Sequence, residues 1–263
     1  MYNRYIRWYI TIMCRLLFLV IFLVGLPALH AHAKTLSIFA AASTVQILDE
    51  IRGTWNAANR IKLSVVYGSS GALARQIENG APADIYFSAN SIWVDHLAKT
   101  NLVRNSTRKT IFRNRLVLIA PASSQISKPF DLATDIIGSL GPKGRLAIGN
   151  PQHVPAGIYT RQALGVLGLW SKYVQRTVWA PNVRLALALV ERGAAPLGIV
   201  YYTDAIQTGR VRILSTIDHS LHAPIGYQAV ATATAGPGAN KLLEYLGSNG
   251  SRAIYSKFGF LTP

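Results

Sequence analysis

Short apolar runs that end in small polar residues alternate with helical patterns along most of this chain. Residues 34–43 (Lys-Thr-Leu-Ser-Ile-Phe-Ala-Ala-Ala-Ser) predict a buried strand that leads directly into a helix. Residues 61–67 alternate as a strand does, and a Gly-Ser-Ser-Gly turn and a helix near 72–79 follow. Two strand, turn and helix units in succession indicate a mainly parallel sheet with helices on its faces.

Further apolar runs extend this α/β pattern into a second lobe. Strands are predicted at 85–88, 116–121, 145–150, 196–201 and 225–232. We interpret the run at 116–121 as the passage to a second lobe and the run at 225–232 as the return. The expected division is therefore 34–116, completed by 229–263, for the first lobe and 117–228 for the second.

Four predicted helix N-termini carry small or polar residues, and a tyrosine ends a later strand. Ser43, with Gln46 three residues on, fits a capping box. In open α/β sheets, ligands bind outside the carboxyl ends of the strands, so these positions can meet at one cleft. The five candidate binding positions are Ser43, Ser70, Ala156, Val183 and Tyr201.

The groups at these five positions can all donate hydrogen bonds, and no carboxylate is among them. Helix N-termini attract anions. Phosphate near neutral pH carries a proton that needs an acceptor, and an unpaired buried polar group costs about 1–3 kcal/mol. The pattern therefore favours a fully deprotonated oxyanion such as molybdate, tungstate or sulfate over phosphate.

The first 33 residues predict a cleaved secretory signal. Arg4, Arg7 and Arg15 precede the apolar run 16–26, and Ala-His-Ala at 31–33 suits a signal peptidase. The apolar run is shorter than the roughly 20 residues that span a membrane. An uncleaved anchor is the alternative. The only cysteine in the sequence lies within this segment, so the mature protein is expected to contain neither disulfides nor a catalytic thiol.

The chain is strongly basic, with a formal net charge of +16. Its basic residues are scattered, with only a loose cluster between residues 104 and 115. We interpret them as a solvated surface that speeds the encounter with a small anion, and we expect no nucleic-acid partner.

The hypotheses of an enzyme or of a metal site find little support in the sequence. Ser43 or Ser70 could act as a nucleophile in a secreted hydrolase, but the G-x-S-x-G elbow is missing. His219 and His222 have metal-ligand spacing in a predicted loop with no helix to align them. The sequence has no Walker loop and no dinucleotide fingerprint, so no cofactor is expected.

Four separated motifs resemble the periplasmic molybdate-binding proteins of ABC transporters, the ModA family. They occur in the family's order, over essentially the whole mature chain. The motifs are 39–43 (Phe-Ala-Ala-Ala-Ser), 73–84 (Leu-Ala-Arg-Gln-Ile-Glu-Asn-Gly-Ala-Pro-Ala-Asp), 153–159 (His-Val-Pro-Ala-Gly-Ile-Tyr) and 186–201, which ends in Gly-Ile-Val-Tyr.

The resemblance implies a two-lobed, type II periplasmic-binding-protein fold that closes on molybdate or tungstate and delivers it to a membrane permease. It implies a periplasmic protein that is not an enzyme, has no direct cation ligands and is expected to be a monomer. The family's oxyanion contacts fall here on Ser43, Ser70, Ala156, Val183 and Tyr201.

Two departures from the family pattern and two alternative functions stay open at this point. Ser69 is a rival of Ser70 for the ligand contact, and Asn90 stands where relatives often have Asp, which we interpret as a turn change without effect on the ligand. A sulfate- or thiosulfate-binding protein is the main alternative, and a secreted serine hydrolase is the second.

Overall fold

The structure, a computed structural model, describes residues 35–126, 132 and 136–263. The predicted signal segment, residues 1–33, lies outside the described residues. Within the described part of the chain, no helix is long and apolar enough to cross a membrane. The strands are β1 (Thr35–Ala41), β2 (Lys62–Gly68), β3 (Ile85–Ser88), β4 (Lys109–Arg113), β5 (Leu116–Pro121), β6 (Leu146–Gly149), β7 (Thr177–Ala180), β8 (Leu197–Tyr201), β9 (Val211–Thr216) and β10 (Gly226–Ala231).

Helices cover the faces of the sheets that these strands form. They are α1 (Val45–Ala58), α2 (Ser70–Glu78), α3 (Ser91–Lys99), α4 (Ile136–Ser139), α5 (Pro155–Val166), α6 (Trp170–Val174), α7 (Val183–Glu191), α8 (Tyr202–Ala205), α9 (Ala239–Leu246) and α10 (Asn249–Lys257). The predicted C-terminal helical region consists of two helices. The first ends at its C-cap Gly247, and the side chain of Ser248 caps the second by accepting a hydrogen bond from the N–H of Ser251.

Two five-stranded sheets repeat one arrangement of strands. The first has the order β2-β1-β3-β10-β4 and the second the order β7-β6-β8-β5-β9. In the first sheet β1 runs parallel to β2 and β3, while β10 runs antiparallel to β3 and β4. In the second, β6 runs parallel to β7 and β8, while β5 runs antiparallel to β8 and β9. The predicted two-lobed α/β fold is confirmed.

Four of the five strands in each sheet run in one direction, as the prediction of mainly parallel sheets requires, and the remaining strand runs against them. In each sheet the antiparallel strand is the one that the chain enters from the other lobe: β5 follows the first-sheet strand β4 after two residues, and β10 follows the second-sheet strand β9. The incoming strand starts beside the carboxyl ends of the parallel strands, so it must run against them. Its antiparallel course therefore follows from the short crossing between lobes.

The strands that the hydrophobic pattern did not predict are β4, β7 and β9, and all three lie at sheet edges. Only two of the five residues of β4 are buried, and β7 and β9 are similarly half-exposed. An edge strand buries fewer side chains than a central one, so its apolar signal is weak. In contrast, every residue of β3, β6 and β8 is buried, and these strands were predicted.

Candidate functional site

A small cavity lies where strands of both sheets end and helices begin. It brings together all the candidate binding positions that were predicted. Its first-lobe lining is Ala41, Ala42, Ser43, Gly68, Ser69, Ser70 and Ala89, and its second-lobe lining is Val154, Pro155, Ala156, Asn182, Val183 and Tyr201. None of these described lining residues is charged, so the cavity can hold an anion only through hydrogen bonds and helix N-termini.

Ser43 follows β1 in a 3₁₀ turn, Ala42–Thr44, that leads into α1. Its side chain is buried, and its Oγ lies 2.7 Å from the phenol oxygen of Tyr227 on β10. The predicted capping box is wrong, because α1 begins without a side-chain cap and Gln46 accepts a hydrogen bond from Arg184 of the second lobe. A contact between lobes has thus taken the place of the local one.

The two serines at the start of α2 have different partners. The Oγ of Ser69 accepts a hydrogen bond of 3.2 Å from the N–H of Ala72 and lies 2.8 Å from Nδ1 of His153 in the second lobe. The Oγ of Ser70 accepts a hydrogen bond of 3.1 Å from the N–H of Ala89. No described residue accepts the hydroxyl proton of Ser70, so this proton is available to a ligand. The geometry favours Ser70 over Ser69 for the contact.

The second lobe presents backbone N–H groups to the cavity. Pro155 is the first residue of α5, and Val183 is the first residue of α7, behind the N-cap Asn182. The Oδ1 of Asn182 accepts a hydrogen bond of 3.0 Å from the N–H of Leu185. The first N–H groups of a helix have no acceptor within the helix. The amides of Ala156 and Val183 are therefore donors that the helix itself does not use.

Glycine at position 157 lets α5 begin against the end of β6. A Cβ atom on Gly157 would lie 1.9 Å from the carbonyl oxygen of Gly149 and 3.1 Å from the carbonyl carbon of Asn150. These are backbone atoms and cannot move aside as a flexible side chain could. The position of the α5 N-terminus at the cavity therefore depends on this glycine.

Tyr201 supplies a buried hydroxyl at the end of β8. The residue is 1% exposed, and its hydroxyl has no hydrogen-bond partner among the described residues. Burial raises the pKa of Tyr201, and the nearby phenols of Tyr227 and Tyr159 raise this pKa further. The hydroxyl therefore keeps its proton. Leaving it unpaired costs about 1–3 kcal/mol, and a ligand that accepts from it removes this cost.

Hydrogen bonds join the two lobes around the cavity. The N–H of Gly71 donates to the carbonyl oxygen of His153 at 3.0 Å, and the hydroxyl of Tyr159 donates to the carbonyl oxygen of Ala89 at 3.3 Å. Burial lowers the pKa of His153, and the Arg75 guanidinium lowers this pKa further. His153 is therefore neutral at pH 7. The two hydrogen bonds between the lobes hold them together at the cavity.

The sequence analysis did not predict an ion pair that joins α7 to α8. The Nε of Arg184 lies 2.8 Å from Oδ1 of Asp204, which is fully buried. Burial raises the pKa of Asp204 to about 6, while Arg184 and the backbone at Tyr201 act in the opposite direction. The signal that could have revealed the pair is an acidic residue directly behind a buried strand in a chain with few acids.

Asn90 does not line the cavity. Its Oδ1 accepts a hydrogen bond of 2.7 Å from the N–H of Ile92 and caps α3. In the described residues, no group of three or more His, Cys, Asp and Glu side chains is arranged to hold a metal ion.

A small cavity lined by hydrogen-bond donors and closed between two similar α/β lobes is the arrangement of a receptor that encloses a small solute. The comparison with known proteins agrees: the family described as "Bacterial extracellular solute-binding protein" matches residues 36–261. The molybdate-binding protein ModA of Escherichia coli (strain K12) is 37% identical over 232 residues, which are 88% of this chain and 90% of that protein. This chain belongs to the bacterial extracellular solute-binding proteins and, within them, to the ModA family.

Two further relatives support the family assignment. The molybdate-binding protein ModA of Haemophilus influenzae is 36% identical over 240 residues, which are 90% of this chain and 93% of that protein. The solved structure of the Azotobacter vinelandii periplasmic molybdate-binding protein superposes with a TM-score of 0.74 at 26% identity, covering 87% of this chain and 99% of that one.

Proposed function

We propose that this chain captures molybdate in the closed cavity and delivers it to the membrane permease of an ABC transporter. The observation that carries the proposal is the buried, unpartnered hydroxyl of Tyr201 in a cavity where Ser43 and Ser70 can also donate. Relatives at 36–37% identity are named as molybdate-binding proteins. Tungstate has the same shape and charge, so we include it as a second ligand.

The ligand contacts that we propose come from both lobes. Hydroxyl groups of Ser43, Ser70 and Tyr201 and backbone N–H groups of Ala156 and Val183 would surround the oxyanion. Each helix N-terminus adds roughly 0.3–1 kcal/mol at an exposed site and up to about 2 kcal/mol when partly buried. Three helices begin at the cavity lining, so an anion can be held without contact to Lys or Arg.

The donor set favours a fully deprotonated anion over hydrogen phosphate. A proton on the ligand would face only donors, and the resulting unpaired polar group costs about 1–3 kcal/mol. Sulfate meets the same requirement as molybdate, so the test below includes both ions.

We infer that the chain is not an enzyme, and the surroundings of the serines support this. The hydroxyl of Ser43 faces the phenol of Tyr227, whose pKa is raised by burial and by Asp204, so the phenol stays protonated and cannot take a proton from Ser43. Ser69 does face His153, but its oxygen caps α2. A hydrolase built on Ser43 would therefore lack a general base in the part of the chain that the structure describes.

We also propose a location, an oligomeric state and a hinge for this protein. A cleaved signal at 1–33 would place the mature chain, as a monomer, in the periplasm, where a permease can receive its ligand. The lobe division 34–116 with 229–263, against 117–228, implies opening about the two connections that join the sheets. Opening there would expose the cavity to solvent.

Thermal unfolding of the purified protein with molybdate, tungstate, sulfate or phosphate tests the proposal. A ligand present at 100 times its Kd adds about 2.7 kcal/mol to the free energy of unfolding. The midpoint should then rise by roughly 5–10 °C with molybdate and tungstate and stay unchanged with phosphate. A rise with sulfate alone would identify a sulfate receptor, and no rise with any of the four ions would refute the oxyanion function.

A further inference from the structure

We propose that Tyr227 is a positioning residue: it donates its phenolic proton to Ser43 and thereby directs the Ser43 hydroxyl proton into the cavity. The inference rests on the proposed function, because it specifies how one of its ligand contacts is set. Tyr227 is fully buried and does not line the cavity. Its influence on a ligand must therefore pass through a residue of the cavity lining, and Ser43 is the one to which its phenol is hydrogen-bonded.

The direction of the hydrogen bonds is set by Asn114, in the connection between β4 and β5. Its Oδ1 accepts a hydrogen bond of 2.9 Å from the N–H of Arg115. A backbone N–H can only donate, so this bond fixes the orientation of the amide and turns Nδ2 the other way. Nδ2 donates to the phenol oxygen of Tyr227 at 3.3 Å and to Oγ1 of Thr203 at 2.9 Å.

In the described residues, Ser43 has the one oxygen within hydrogen-bonding geometry of the Tyr227 phenol that can accept its proton. The phenol oxygen accepts from Asn114, and Oγ of Ser43 lies 2.7 Å away. If Ser43 were the donor, the buried phenolic proton would have no acceptor, which is unfavourable by about 1–3 kcal/mol. Burial raises the pKa of Tyr227, and the charge of Asp204 raises this pKa further, so the proton is retained.

Aromatic neighbours hold the phenol in place. The ring centroid of Tyr227 lies 4.7 Å from that of Phe112, 5.5 Å from that of Phe260 and 5.9 Å from that of Tyr201. With Tyr227 fixed as the donor, the Ser43 proton has the cavity as its only destination. Ser43 can donate to an oxyanion, but accepting a proton from hydrogen phosphate would leave its own proton unpaired. Tyr227 thus contributes to ligand selection without touching the ligand.

A double-mutant cycle measured by titration calorimetry with molybdate tests the inference. Tyr227→Phe should weaken affinity by about two- to tenfold, as expected for one net hydrogen bond. In a Ser43→Ala background, Tyr227→Phe should change affinity by less than about twofold, because the residue through which it acts is gone. An equal loss in both backgrounds would indicate a general structural role and overturn the inference.

Tyr255→Phe is the matched control. Tyr255 is buried, and its hydroxyl donates to the carbonyl oxygen of Leu246 at 2.8 Å, outside the cavity lining. Its removal should lower the unfolding midpoint without changing molybdate affinity. A loss of affinity here equal to that of Tyr227→Phe would also overturn the inference.

Asn114→Asp provides a second variant should Tyr227→Phe not fold. A carboxylate accepts the proton of Tyr227, so the chain of hydrogen bonds reverses. Ser43 then donates to Tyr227, away from the cavity. We expect a larger loss of molybdate affinity than for Tyr227→Phe, and most of it should vanish in the Ser43→Ala background, which retains only the effect of the added charge. A loss of the same size in both backgrounds contradicts the inference.

The proposed function and this inference fail in different ways. Wild-type protein without molybdate binding refutes the function. Wild-type binding together with unchanged affinity in Tyr227→Phe refutes only the positioning role of Tyr227. Unchanged affinity in Ser43→Ala refutes both that role and the Ser43 contact, but leaves molybdate capture itself standing.

Discussion

The two walls of the cavity offer hydrogen bonds by different means. The first lobe uses side-chain hydroxyls, those of Ser43 and Ser70, whose proton directions depend on neighbouring groups. The second lobe uses the N–H groups of Ala156 and Val183, whose directions follow from helix geometry. The first wall should therefore be sensitive to single side-chain changes. The second should respond only when the backbone moves.

Gly157→Ala should produce the largest effect, because it moves the backbone of the second wall. The added Cβ would meet the carbonyl oxygen of Gly149 at 1.9 Å. We expect the free energy of unfolding to fall by about 3 kcal/mol and molybdate affinity to fall by roughly 100-fold. Chemical denaturation and titration calorimetry measure the two.

Gly165→Ala, in the same helix, is the control. No atom lies within 4 Å of the added Cβ, so stability should hold or rise by up to about 1 kcal/mol. Equal losses in both variants would mean that the close approach at Gly157 is not the cause.

Ser70→Ala and Val183→Ala compare the walls directly. Removing the Ser70 hydroxyl should weaken molybdate binding by about 1–3 kcal/mol, the range for a hydrogen bond to a charged group. Val183→Ala keeps the N–H and should leave affinity within about twofold, although loss of a buried side chain lowers stability by about 1 kcal/mol. Calorimetric Kd values that rise equally in both variants would contradict the contrast between walls.

Asp204 anchors the second wall through Arg184, and its protonation makes stability depend on pH. Its pKa in the folded chain is about 6, above the ordinary value of 3.8. The folded state therefore binds this proton more tightly, and the resulting stabilisation is complete below about pH 4 and is lost as pH rises to about 6. The stability of wild type minus that of Asp204→Asn should fall by roughly 1–2 kcal/mol over this range.

Denaturation curves of both proteins between pH 3.5 and 7.5 measure the difference. A difference that stays constant with pH, or that rises between pH 4 and 6, would show that Asp204 titrates near its ordinary value or below it.

Of the variants expected to weaken binding, Gln46→Ala should have the smallest effect, because it removes only a contact between the walls. Gln46 accepts a hydrogen bond from Arg184 across the lobes. Without it the closed state is less favoured, and molybdate affinity should fall by about two- to fivefold. Gln76→Ala changes an exposed glutamine of α2 and should leave affinity unchanged. Equal Kd values for all three proteins would show that the contact does not support closure.

The sequence predicted what depends on local order along the chain. Each candidate ligand residue lies at the start of a helix that follows a strand, or at the end of a strand, and the helix starts are visible in a short window. Central strands such as β3, β6 and β8 are buried along their whole length, so their apolar runs are distinct. The edge strands β4, β7 and β9 bury less and were missed.

What the sequence did not reveal are contacts between distant residues. Ser43 and Tyr227 are 184 positions apart, and no local pattern relates them. The capping box failed for the same reason, since Gln46 bonds to Arg184, 138 positions away, in preference to its own helix. Buried polar side chains in apolar strands, such as Tyr227, need a partner. The need of a buried tyrosine hydroxyl for a hydrogen-bond partner is the signal that could have identified Tyr227.

Titration of the protein with molybdate at pH 7, with and without a large excess of phosphate, shows whether a cavity of donors selects a fully deprotonated oxyanion. We predict one molybdate per chain and a Kd that phosphate leaves unchanged. Competition by phosphate at concentrations similar to those of molybdate, or no binding of molybdate at all, would contradict the account.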